Sequence, residues 1–316
     1  IAAATARPAD SRSIVNGIGT DVDRIQAVGI YLERASDHAT YPGTPDAGTV
    51  FNAPAVAGQP WTPPVSGTVY VNANAGRLFA WSPSASVLAR DAAAGNHSIP
   101  VSVPATQTFN GANTYACSVT DYLYGSGKAD VGSSDVIAVS STSASPAVYM
   151  QHALAQIVFL MVNDAGRPAD AAYDYVKKIT LTANGGATPF KVAASGNMLL
   201  SDGTLTGQTA CGELTFTPTA NPKQVGATGS PAIVAYGLVA PKAAASSGTV
   251  KLSLVLGEAN LSKTDTERDL FIESAGEFNI EWKKGERYLY TLTLGKRGIT
   301  ISGADIKGWE AAPSTG

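Results

Sequence analysis

Hydrophobic positions in this chain recur at every second residue. In Lys251–Leu256, Leu252, Leu254 and Leu256 fall on one side and Lys251, Ser253 and Val255 on the other. In Arg287–Leu294, Tyr288, Tyr290, Leu292 and Leu294 share a face opposite Leu289, Thr291 and Thr293. Side chains of an extended chain flip at each residue, so this period belongs to a sheet with one buried face. The same reading predicts strands over Ala27–Glu33, Thr68–Val71, Arg77–Trp81, Val136–Ser140, Val176–Thr182, Glu213–Thr217 and Ile233–Val239. Ala153–Val162 is nearly all apolar, which suits a central strand covered on both faces, although periodicity alone leaves a buried helix open. Helical periodicity is scarce: Ala169–Lys178 is long enough, but its second half reads better as strand. Asn184-Gly185-Gly186, Ser201-Asp202-Gly203 and Lys284-Gly285 mark turns between these runs. Many short strands with such punctuation imply an all-β chain built as β-sandwiches.

Two stretches, from about Tyr41 to Gly67 and from about Ser82 to Ser98, read as long surface loops. A polar run, Ser143–Ala147, precedes the most apolar segment and suggests a boundary between an N-terminal domain, residues 1–147, and a C-terminal domain, residues 148–316. Domains of about this size bury roughly 70% of the surface of the unfolded chain, so neither requires a metal or disulfide staple.

Composition narrows the functional classes. Charged residues make up 15% of the 316, and the net charge is −3. No basic field is present to attract a polyanion, which argues against nucleic-acid binding. No run of apolar residues is long enough to span a membrane as a helix. The chain starts at Ile1 with no signal-peptide pattern, as a processed form would, leaving any export signal or lipid-anchor cysteine upstream. Cys117 and Cys211 read as two unpaired buried thiols or as a single bridge, and match neither a disulfide framework nor a zinc pattern.

Candidate chemistry is sparse. Gly125-Ser126-Gly127-Lys128 resembles the end of a phosphate-binding loop, but Tyr122 stands where that motif needs glycine and Ala129 where it needs Ser or Thr. Neither a nucleophile elbow nor a zinc-binding helix motif occurs, and His38, His97 and His152 are widely spaced. No catalytic residue, cofactor, metal or small-molecule substrate is therefore expected. The four tryptophans, Trp61, Trp81, Trp282 and Trp309, sit beside loops or strand ends, where each either plugs a sandwich core or, as at Trp61, stacks on a ligand such as a glycan.

Several segments in order resemble a known family. Ala27-Val28-Gly29-Ile30-Tyr31-Leu32, Arg77-Leu78-Phe79-Ala80-Trp81-Ser82-Pro83, Asp121-Tyr122-Leu123-Tyr124-Gly125 and His152-Ala153-Leu154-Ala155-Gln156-Ile157-Val158-Phe159 are similar to strand motifs of the Bacteroidales fimbrillins, the subunits of type V pili. Trp282, Gly285, Tyr288, Tyr290 and Leu292 resemble that family's W-x-x-G-x-x-Y-x-Y hairpin. Ile299-Thr300-Ile301-Ser302, Ile306, Gly308 and Trp309 resemble its terminal strand. The resemblance implies two transthyretin-like β-sandwich domains in tandem, export as a lipoprotein to the outer membrane, and a structural role in a cell-surface fimbrium. It implies assembly by donor-strand exchange with other fimbrial subunits, after an arginine-specific protease removes an N-terminal strand. Arg12, in a polar stretch, is the first choice for that cleavage; Arg7 is next but precedes Pro8, and Arg24 is closer to the first strand. The alternative is a tip adhesin or surface glycan-binding lipoprotein with a host protein or glycan as partner. Membrane attachment would then run only through an upstream lipid anchor.

Overall fold

The computed structural model describes residues 25–53, 71–91, 93, 95–110, 117–144, 146–167, 173–183, 190–242, 250–259, 270–273, 280–296 and 298–308. Among them the chain forms strands and no helix. The first nine are β1 (Ala27–Arg34), β2 (Thr49–Asn52), β3 (Gly76–Ser82), β4 (Ser98–Val103), β5 (Thr106–Phe109), β6 (Leu123–Ser126), β7 (Ile137–Val139), β8 (Tyr149–His152) and β9 (Ala155–Asn163). Next come β10 (Tyr175–Ala183), β11 (Phe190–Leu199), β12 (Leu205–Thr206), β13 (Thr209–Cys211), β14 (Glu213–Pro218) and β15 (Lys223–Gln224). The last are β16 (Ala232–Val239), β17 (Val250–Gly257), β18 (Leu270–Glu273), β19 (Glu286–Gly295) and β20 (Gly298–Gly308).

The strands form four sheets, none closed into a barrel. One, antiparallel throughout, runs β2-β1-β3-β6-β8, with β7 on the start of β3. Its central strands bury both faces. Val28, Ile30 and Leu32 of β1 join Leu78 and Ala80 of β3 in one cluster. Tyr31, Phe79 and Trp81 turn to the opposite side, against Ile99 and Val101 of β4 and Met198 of β11. Gly29 is required at this point, because a Cβ there would lie 2.0 Å from the Trp81 ring.

β4 and β11 belong to a second sheet, in which β11 also pairs β12 and β13. The other two sheets, β18-β17-β10-β14-β5 and β16-β9-β19-β20, share one core. Ile179, Leu252 and Phe216 from the one meet Phe159, Tyr290 and Leu292 from the other. This is the arrangement expected of a β-sandwich. β9 is buried along nearly its whole length between β16 and β19, as its continuous apolar run predicts.

Two expectations need correction. The stretch from Tyr41 to Gly67 is not all loop: Thr49–Asn52 forms β2, because Val50 and Thr49 pair with Gly29 and Ile30 at the sheet edge. Ser98 begins a strand instead of ending a loop. Ser98–Val103 alternates without a break, with Ile99, Val101 and Val103 buried and Pro100, which has no N–H to donate, on the exposed face. β4 tolerates the proline because, among the described residues, β11 is the one strand paired with it, and the bridge on its other side, from Ser98 to Ala89, lies before Pro100. Of the predicted strand Thr68–Val71, residues 68–70 lie outside the described residues, as does the Asn184-Gly185-Gly186 turn. Strand pairing crosses residue 147 in both directions: β8 completes the first sheet, while β5 joins β14 and β4 joins β11.

Two predictions follow from the shared core. Phe159 is fully buried, with ring centroids 5.9 Å from Phe216 and 5.6 Å from Tyr290. Phe159→Ala should lower the urea-unfolding free energy by roughly 3–5 kcal/mol, and a loss below about 1 kcal/mol would contradict this packing. Tyr290 accepts a hydrogen bond from Trp282 Nε1 at 2.9 Å, and burial pushes its phenol up from 10.0 to about 12. The neutral phenol is the form that the folded state favours. Its contribution is complete below pH 10.0 and is lost as pH rises towards about 12, since the unfolded chain ionises first. Denaturation curves over that window should lose stability with pH, and Tyr290→Phe should flatten the slope.

Candidate functional site

An open sheet ends in strands whose outer backbone groups are available to another chain. β20 is the longest such edge here: it pairs with β19 from Gly295↔Gly298 to Glu286↔Gly308 and has no strand on its other side among the described residues. Its two halves differ. Ile299 is buried in the core and Ile301 packs partly against it. Beyond a register shift opposite Tyr290 and Leu292, Ala304, Asp305, Ile306 and Lys307 are all exposed, and Ile306 is 56% exposed. Solvent therefore reaches both faces of this half-strand, which an ordinary one-faced sheet would not allow. β18, the edge of the facing sheet, lies close to β20.

The sequence-predicted residues fall as follows. Arg7, Arg12, Arg24, Trp61 and Trp309 lie outside the described residues. Trp81 and Trp282 are each 2% exposed and sit in core clusters, Trp282 stacked on Phe190 at 5.9 Å. They are core plugs, not exposed platforms. Cys117 and Cys211 are unbridged and half-buried, not fully buried as expected. Burial pushes the Cys117 thiol up to about 11, so at neutral pH it is protonated and a poor nucleophile. The glycine-rich Gly125–Lys128 segment ends β6 and enters a turn. There Ser126 Oγ accepts from the amides of Lys128 and Asp135, and Lys128 pairs with Asp135 at 2.5 Å. The turn thus binds itself and presents no phosphate cradle.

The histidines carry more structure than their spacing suggests. His152 Nδ1 lies 3.0 Å from the buried Asp121 carboxylate. Glu33, fully buried on β1, holds the other two. Its Oε2 is 2.7 Å from His97 Nε2, with both side chains at 0% exposure, and its Oε1 is 3.0 Å from His38 Nδ1. The amide of Asp91 donates to His97 Nδ1 at 3.3 Å, so Nε2 carries the hydrogen donated to Glu33. Arg77, paired with Glu33 across β1 and β3, places its guanidinium 3.7 Å from Oε1. Tyr31 and Phe79 set their rings edge-on to His97 at 4.8 and 4.9 Å. His97 immediately precedes β4, and its carbonyl accepts from Leu200, so the network ties the first sheet to the second. Sequence reasoning missed it because Glu33 and His97 are 64 residues apart. The one local signal was the alternation starting at Ser98, which Pro100 obscured.

A model of fimbrillin-like proteins matches residues 17–309. No curated protein matches the chain in sequence. Among solved structures, a fimbrial protein from Bacteroides vulgatus is 14% identical, with 89% of this chain and 92% of that one covered at a TM-score of 0.54. A candidate cell adhesion protein from Bacteroides uniformis is 17% identical, covering 90% of this chain and 91% of that one, with a TM-score of 0.54. Another from Bacteroides ovatus is 13% identical, covering 95% of each chain, with a TM-score of 0.55. At these identities the likeness establishes a shared fold.

The Glu33 network makes a stability prediction. His97→Leu takes one hydrogen-bond donor from a buried carboxyl group and should cost roughly 1–3 kcal/mol in urea unfolding. His38→Ala, at a side chain 27% exposed, should cost less. Equal small losses would show that the carboxylate does not depend on His97.

Proposed function

The chain belongs to the fimbrillin-like family, whose model spans residues 17–309, and from that membership we propose that it is a structural subunit of a cell-surface fimbria. The family and the shared fold support a fimbrial or adhesin-type surface protein. In the finer reading, the chain is two transthyretin-like sandwiches in tandem, residues 1–147 and 148–316. It is anchored at the outer membrane by lipid upstream of Ile1, cleaved after Arg12 (or Arg7), and assembled with other subunits by strand donation. The role is one of assembly, without catalysis.

The observation that carries this reading is β20: a long edge strand with one half exposed on both faces, next to the edge of the facing sheet. A strand added alongside such an edge completes the hydrogen-bond ladder and covers apolar positions such as Ile306. Donor and acceptor surfaces differ, so the contact is heterologous and propagates into a filament instead of closing a dimer.

Treatment of the purified chain with an arginine-specific protease should give SDS-resistant ladders on gels and filaments by negative-stain microscopy. Arg12→Ala should abolish both. Cleavage that leaves strictly monomeric protein would overturn the reading as a polymerising subunit in favour of a tip or anchor position.

A further inference from the structure

A cleft of about 130 Å³ opens where the first sheet meets the turn that follows β11. β3, the segment before β4, the loop between β6 and β7, and the turn at Leu200 and Ser201 all contribute to it. Its polar lining includes Arg77, Asn96, Asp135 and Ser201, and its apolar lining includes Leu200 and Val136, the last 64% exposed at the rim. Clefts in which polar groups converge beside apolar walls are where small ligands bind.

The Glu33 network adjoins this cleft. Three residues belong to both: Arg77 pairs with Glu33, the Phe79 ring meets His97, and Gly95 packs on His38 so closely that a Cβ would lie 2.7 Å from Nδ1. His38 is, among the described residues, the non-glycine residue with positive φ, at 57°. Strained backbone and fully buried charge both cost stability, and they concentrate where a surface group must be held in one place. Here the group held is Arg77. Its distance of 3.7 Å from Glu33 exceeds hydrogen-bond range, and its side chain is 39% exposed, so its donors remain available to a ligand.

The charges identify the ligand class. Arg77 is offset by Glu33, and Asp135 by Lys128 at 2.5 Å. The lining therefore has no net charge with which to repay the desolvation of an ion. It does offer guanidinium, amide, hydroxyl and carboxylate groups beside apolar Leu200 and Val136. That combination suits a small ring with several hydroxyls and an apolar face. We propose that this cleft is a binding site for a neutral sugar ring, with Arg77 as the hydroxyl anchor that Glu33, His97 and His38 hold in position. None of the lining residues belongs to β20 or to the segment proposed to be cleaved.

The test is a ¹⁵N–¹H NMR titration of the 316-residue chain, not treated with protease, with the methyl glycosides of glucose, galactose, mannose and N-acetylglucosamine. Glucuronic acid and glucosamine serve as charged probes. At least one neutral glycoside should give saturable shifts at the amides of Arg77, Asn96 and Ser201, with a Kd on the order of 1 mM. Val136→Trp, at an exposed rim position, and Arg77→Met should each weaken it by about tenfold or more. The charged sugars should bind more weakly. The proposal is overturned if no neutral glycoside shifts these amides, if binding survives Val136→Trp undiminished, or if glucuronic acid binds more tightly than every neutral probe. Because the titration uses the uncleaved chain, its outcome is separable from that of the polymerisation assay.

Discussion

A sheet buried on both faces has to be covered twice, and the first sheet of this protein imposes that requirement on the rest of the chain. β1 alternates Val28, Ile30 and Leu32 with Tyr31, and β3 alternates Leu78 and Ala80 with Phe79 and Trp81; all of them are buried. One face is closed by Tyr41 and Phe51 together with Ile137, Val139, Val148 and Met150. The other needs β4 and β11, so a strand formed early in the chain crosses to a sheet built on residues 190–211. The two halves of the chain are thereby joined by apolar packing.

The polar groups at that junction follow from the same requirement. Where β1 ends, the buried Glu33 carboxyl group would lose its hydrogen-bond partners without His97 and His38. Gln107 plays a comparable part elsewhere: its fully buried amide donates to the carbonyl of Leu238 at 2.6 Å and accepts from that residue's amide at 3.1 Å, closing the end of β16. Such pairs select one register and one partner, since any slip leaves both members unsatisfied.

Assembly and adhesion would use different parts of this architecture. The open edge at β20 is a backbone feature, able to accept any chain with a matching alternation. The cleft beside Glu33 is a side-chain feature, fixed by residues from β1, β3 and the segment before β4. A subunit can carry both, because the edge belongs to the sandwich of β9 and β19 and the cleft to the first sheet.

Local alternation was enough to define which residues of β1, β3, β10, β14, β16, β17 and β19 form strands, and in β17 and β19 which side chains turn inward. It could do so because a period of two is a property of consecutive residues. The ordered motifs from Ala27 to Gly308 were equally legible, and they pointed to the family that the fimbrillin-like match establishes. Pairing was not legible. Nothing in the sequence marks β5 as a parallel partner of β14, or β9 as a parallel partner of β19. Nor does any local signal bring His97 to Glu33 across 64 residues. Alternation assigns a strand a buried face but leaves its edges equivalent, and only the closing of the whole chain around shared cores decides which edges meet and which, like β20, stay open.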